Sequence, residues 1–144
     1  MNSRKPIRTI TGQLPFGADL YDGVSEIVRK ENIRFGRVQA IGATTHAVVA
    51  YYDQKLKNYM PLEFDGGMEI LNCAGNISIR DGKPFLHIHL ILGDRDGKVF
   101  GGHVLPGTKI FALEVFIDEY DGEEFIREKD DRTGLFLWKS GNLL

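Results

Sequence analysis

The stretch from Pro84 to Leu105 constrains this chain more than any other. It reads Pro-Phe-Leu-His-Ile-His-Leu-Ile-Leu, then Gly-Asp-Arg-Asp-Gly, then Lys-Val-Phe-Gly-Gly-His-Val-Leu. Two arms rich in Leu, Ile, Val and Phe flank five residues of turn chemistry, so the segment predicts an antiparallel hairpin. Side chains alternate along a strand, which puts His87 and His89 on one face. A turn centred on Arg95 makes the numbers of opposed residues sum to a constant that sets His103 across from His87 and Gly101 across from His89. Opposed residues have Cβ atoms roughly 4.5–5.5 Å apart, so three imidazoles converge within reach of one ion. A slip of one residue would send His103 to the other face.

Three imidazoles and an open fourth position form a pattern used where zinc activates water or polarises a carbonyl. Imidazole also suits iron, nickel, copper and manganese, so the cofactor expected is zinc or another divalent transition metal. Phe85, Ile91, Val99 and Leu105 share the histidine face, and Leu86, Ile88, Leu90, Phe100 and Val104 occupy the other. Both faces therefore read as buried. A His-x-His pair alone is commonly structural; the third histidine at matching register is what singles out this group.

Gly82 to His89, with Gly93 to His103, resembles the signature of the plants-and-prokaryotes conserved (PPC) domain. Gly42-Ala43, Tyr51-Tyr52-Asp53, Met68 to Leu71 and Gly75 to Ser78 extend the resemblance over about Leu14 to Asp118. It implies a compact α+β domain, a homotrimer, and in prokaryotic members a metal on the histidines matching His87, His89 and His103. The fold is also similar to that of acetolactate decarboxylase, a zinc enzyme with a three-histidine site. Plant members bind AT-rich DNA through attached hooks, and stand-alone bacterial members carry the label of DNA-binding protein. This chain contains no Arg-Gly-Arg-Pro hook.

At 144 residues the chain suits a single domain, 1–144, with a real hydrophobic core. Its lone cysteine, Cys73, excludes an internal disulfide and fits a reducing compartment. With no apolar leader and no run of about 20 apolar residues, the expectation is a cytoplasmic protein without a membrane span. Eighteen basic against twenty acidic residues give a formal charge of −2. DNA-gripping proteins usually show a basic excess, so DNA as a partner rests on the resemblance and not on charge.

The remaining elements point to an α+β fold, mostly antiparallel sheet and barrel-like, with one main helix near the N-terminus. Strands are predicted at 7–13, 34–43, 45–52, 58–64, 68–79, 109–117 and 124–129, the fifth interrupted at Ala74-Gly75-Asn76. Leu20, Val24, Ile27 and Val28 recur at helical spacing after Asp19, predicting a helix over 18–31. His46, far in sequence from the others, is left outside the site. Glu114 is the one acid in an apolar strand. A two-residue hairpin at Pro106-Gly107 would bring it to the histidine face as a histidine-orienting partner or general base, against the plain alternative of a salt-bridged structural glutamate. The apolar tail Leu135 to Trp138 needs cover, from its own domain or from a neighbouring subunit.

Three function classes stay open: a DNA-binding or regulatory protein, a metal-stabilised scaffold or small-molecule sensor, and a zinc-dependent lyase-like enzyme. The last would take a small oxygenated ligand at the metal, such as a 2-oxo or 2-hydroxy acid, with Glu114 assisting proton transfer.

Overall fold

The computed structural model describes residues 3–139. Its strands are β1 (Pro6–Leu14), β2 (Gly36–Asp53), β3 (Asn58–Arg80), β4 (Lys83–Gly93), β5 (Val99–Val104), β6 (Lys109–Tyr120), β7 (Arg127–Lys129) and β8 (Phe136–Trp138), and its one helix among the described residues is α1 (Leu20–Lys30). The main sheet is antiparallel with the order β1-β6-β2-β3-β4-β5. β5 also pairs with the far half of β2 through Val49↔Val104 and Ala50↔His103, so the sheet closes partly into a ring. This is the expected α+β domain. Among the described residues no helix is long and apolar enough to cross a membrane.

The helix forms where its apolar stripe and caps place it. Asp19 accepts a hydrogen bond from the Asp22 amide at 3.1 Å, and Leu20, Val24 and Val28 are buried. They pack with Leu86, Ile88, Leu90 and Leu92, the even-numbered side chains of β4, in one continuous core. The even face of the histidine hairpin is thus the buried one. The odd face is not, as Ile91 and Val99 are exposed and Phe85 and Leu105 open onto a cavity. The sequence suggested two buried faces because both carry apolar residues; only one meets the helix.

Two expected pairs of strands are single long strands. β2 runs through Gly42 with a register shift at Ala40/Gly42, a bulge and not a break. A side chain at Gly42 would place its Cβ 2.1 Å from the Ala112 carbonyl oxygen, so glycine lets β6 approach closely. β3 likewise continues through Asp65-Gly66-Gly67. The interruption expected at Ala74-Gly75-Asn76 is absent, and the irregularity lies instead between Ile70 and Asn72. Gly75 serves packing: a Cβ there would sit 1.9 Å from the His87 carbonyl oxygen.

The turn at Pro106-Gly107 does not form a β5–β6 hairpin. The Asp19 carboxylate accepts from the Gly107 amide at 2.6 Å and the Leu20 amide donates to the Thr108 carbonyl at 2.9 Å, which pins this connection to the start of α1. β6 then leaves for the other end of β2's free edge, between β2 and β1.

Candidate metal centre

β4 and β5 meet in the register Gly93↔Val99 and His89↔His103. His103 therefore faces His89 and not His87, and Gly101 faces Ile91. The cause is Asp94, whose carboxylate accepts from the Asp96 and Lys98 amides, both at 2.8 Å. It closes a loop over 94–98, one residue later at each end than the glycine spacing suggests. A shift of two preserves side-chain parity, so the three histidines still share a face.

They do converge. Ring centroids are 5.1 Å apart for His87–His89, 5.1 Å for His87–His103 and 5.4 Å for His89–His103. One ring nitrogen from each lies within 4.8 Å of the others, and the Nε2 atoms of His87 and His89 are 3.1 Å apart. Small residues make the room: Ala74 opposes His89 on β3, and Ala50 opposes His103 on β2. Tyr59 stacks on His103 with a centroid separation of 4.7 Å.

Electrostatics keep these rings neutral. Burial, the Arg127 cation and the neighbouring histidines push the His87 pKa down to about 4. Burial, His89 and Arg127 do the same to His103, also to about 4, and burial lowers His89. At neutral pH all three rings are then neutral, each with one unprotonated nitrogen, the form in which imidazole binds metal. His103 Nδ1 is buried and has no hydrogen-bond partner among the described residues, which is costly for a polar atom unless something else satisfies it. Three neutral nitrogen donors with no carboxylate among them fit a zinc-like ion and not calcium or magnesium.

Arg127 is the functional-site residue that sequence reasoning missed. It lies in β7, next to the end of β3, where the Ile79 amide donates to the Phe125 carbonyl at 2.8 Å. Its guanidinium donates to Ser78 Oγ at 2.7 Å, Asn76 Oδ1 at 2.8 Å and the Phe136 carbonyl at 2.8 Å, and its Nη2 lies 3.3 Å from His87 Nδ1. Within the run Glu-Glu-Phe-Ile-Arg-Glu-Lys-Asp-Asp-Arg nothing marks it from its charged neighbours. The tail docks on its own domain: β8 pairs with β7, Trp138 packs on Phe125 at 4.5 Å, and Leu135 to Leu137 wall a cavity of about 770 Å³ beside the histidines.

Glu114 is not brought to this group. It lies on β6 opposite Ile41 and Gln13, exposed, and it does not line the cavity. With no β5–β6 hairpin, nothing carries that strand's even face to the histidines. His46 is also elsewhere, with Nδ1 2.7 Å from Asp65 Oδ1.

A small antiparallel domain with a helix on one face and three neutral imidazoles on the other defines a candidate metal-binding protein of the α+β class. Residues 1–121 match the Plants and Prokaryotes Conserved (PCC) domain, and the chain belongs to that family. It is 40% identical to a metal-containing protein from Archaeoglobus fulgidus, with a TM-score of 0.90, covering 96% of this chain and 97% of that one. A candidate DNA-binding protein from Bacteroides thetaiotaomicron shares 25% identity and a TM-score of 0.85, covering 95% and 96%. Bifunctional protein GlmU of Synechococcus sp. (strain JA-3-3Ab) is 30% identical over 131 residues, 90% of this chain. The chain spans only 19% of that relative's length.

Proposed function

We propose that this PCC-domain protein holds one divalent transition-metal ion, zinc first among them, on His87, His89 and His103, and uses it to bind a small oxygen-bearing molecule from the adjoining cavity. The observation that carries this reading is the convergence of three neutral imidazoles on one point, one of them with a buried nitrogen that has no partner among the described residues. The description of the Archaeoglobus relative as metal-containing supports it. When bound, such an ion supplies Lewis acidity toward a carbonyl or a water molecule. The chain's own part is to hold the rings neutral and oriented. Tyr59 fixes His103 by stacking, the Arg127 cation beside His87 disfavours its protonation, and the tail shields one side from water. The homotrimer implied by the family resemblance belongs to the same proposal, with exposed Ile41 and Phe116 on the outer face of β2 and β6 as apolar surface for a neighbour.

The test is a zinc titration of metal-stripped protein followed by calorimetry, with His103→Ala beside the wild type. Saturable binding that disappears in the variant supports the site; equal binding by both refutes it.

DNA binding is the second reading, favoured by the naming of the Bacteroides structure. It predicts duplex affinity that falls steeply with salt. No binding of any duplex at low salt removes it.

A further inference from the structure

The cavity beside the histidines is lopsided in charge. Lys57, Arg80 and Arg127 line it, and among the described residues no Asp or Glu does. Arg127 is only 8% exposed, yet among the described residues each polar neighbour of its guanidinium is neutral: Ser78, Asn76, the Phe136 carbonyl and His87. A buried cation ordinarily faces a carboxylate, because desolvating a charge without a counter-ion is costly. Among the described residues those contacts leave an N–H on Nη1 for a further acceptor. Arg80 lies over the Phe136 ring at 3.5 Å, and its one acidic neighbour among the described residues is the exposed Asp81, 3.6 Å away and outside the cavity lining. The remaining wall is largely apolar and includes the aromatic rings of Tyr21, Tyr59, Phe85 and Phe136.

We infer that this cavity receives a small organic carboxylate, which supplies the counter-charge that Arg127 lacks, is drawn further by Arg80, and lays its carbon skeleton on the aromatic wall. Arg127 touches His87 at 3.3 Å, so a carboxylate held there sets its α-carbon oxygen beside the three imidazoles. The ligand class is therefore a 2-oxo or 2-hydroxy acid. The α-oxygen preference rests on the metal reading above, whereas the carboxylate preference rests on the arginines alone. A volume of about 770 Å³ leaves room for a side chain well beyond a methyl group.

The test is isothermal titration calorimetry with pyruvate and phenylpyruvate, and with their methyl esters as uncharged counterparts, on zinc-loaded and metal-stripped protein of measured metal content. Wild type is expected to bind each acid at least about tenfold more tightly than its ester, phenylpyruvate more tightly than pyruvate. Arg127→Gln abolishes the preference and Arg127→Lys restores part of it. Arg80→Gln, which gives up the stacking on Phe136 and the exposed Asp81 pair but no hydrogen bond among the described residues, weakens the acid alone and keeps the test valid if Arg127→Gln fails to fold. Acid preference in a protein that takes up no metal would leave the carboxylate inference standing and the metal reading refuted. Acids and esters binding equally, or no probe binding a metal-loaded protein, would overturn the carboxylate inference while leaving the metal site intact.

Discussion

Gly75→Ala tests how tightly the ladder beneath the histidines is built. Gly75 pairs with Ile88 across β3 and β4, one residue from the Asn76↔His87 pair. A methyl group there would meet the His87 carbonyl oxygen at 1.9 Å and the Ile88 Cα at 2.7 Å. Both are backbone atoms, so no rotamer change relieves the contact. The strands must part locally, stretching ladder hydrogen bonds and straining the core under them, at a cost of about 2–4 kcal/mol. The same parting moves the His87 backbone, so metal affinity should fall with stability. Gly12→Ala is the matched control, because a Cβ at Gly12 meets nothing within 4 Å. It should be neutral or stabilise by up to about 1 kcal/mol through the unfolded chain. Urea denaturation and zinc titration of both variants decide the matter. A Gly75→Ala protein as stable as wild type would refute the packing argument, and one that is destabilised with unchanged zinc affinity would refute its link to the site.

Further outcomes follow from the same geometry. His87 and His103 have pKa values near 4 when folded and about 6.5 when unfolded. The unfolded chain therefore takes up protons that the metal-free fold refuses, so stability is level above about pH 6.5 and falls as pH drops from there toward 4, by a few kcal/mol in all. Urea midpoints at pH 7.5 and 4.5 in chelator check this, and a His87→Ala protein should show a flatter profile; equal midpoints for wild type would contradict it. Burial raises the Cys73 thiol to about 12, so native protein should resist a thiol reagent at pH 8 that labels the urea-unfolded chain at once. Labelling of the native protein at the unfolded rate would contradict that burial. Asp94→Ala removes the acceptor that closes the 94–98 loop and should lower stability by about 1 kcal/mol and weaken zinc binding several-fold through loss of register control. Unchanged zinc affinity would show that the strands alone set the register.

The helix, the hairpin and the shared face of the histidines were legible because each follows from local periodicity. Leu20, Val24 and Val28 repeat at helical spacing, and His87 and His89 keep parity whatever the turn does. Register was not legible to the residue, since the choice between a turn centred on Arg95 and one centred on Asp96 depends on what the Asp94 carboxylate binds. Gly42 and Gly75 resemble breaks in sequence but are places where another backbone comes close, which only the partner strand reveals. Glu114 was placed by assuming that consecutive strands pair; the contacts of Asp19 with the Pro106–Thr108 connection send β6 elsewhere. Arg127 carried no local signal. Its importance comes from β7 packing beside β3, a contact nearly fifty residues distant in sequence.

The most direct test of the central claim is metal content by elemental analysis of protein purified without an affinity tag, for wild type and His89→Ala, each checked for folding and for mass in solution. The three-imidazole centre predicts close to one zinc or similar ion per chain in the wild type, lost in the variant. A well-folded wild type that carries no metal and takes none from added zinc would contradict it.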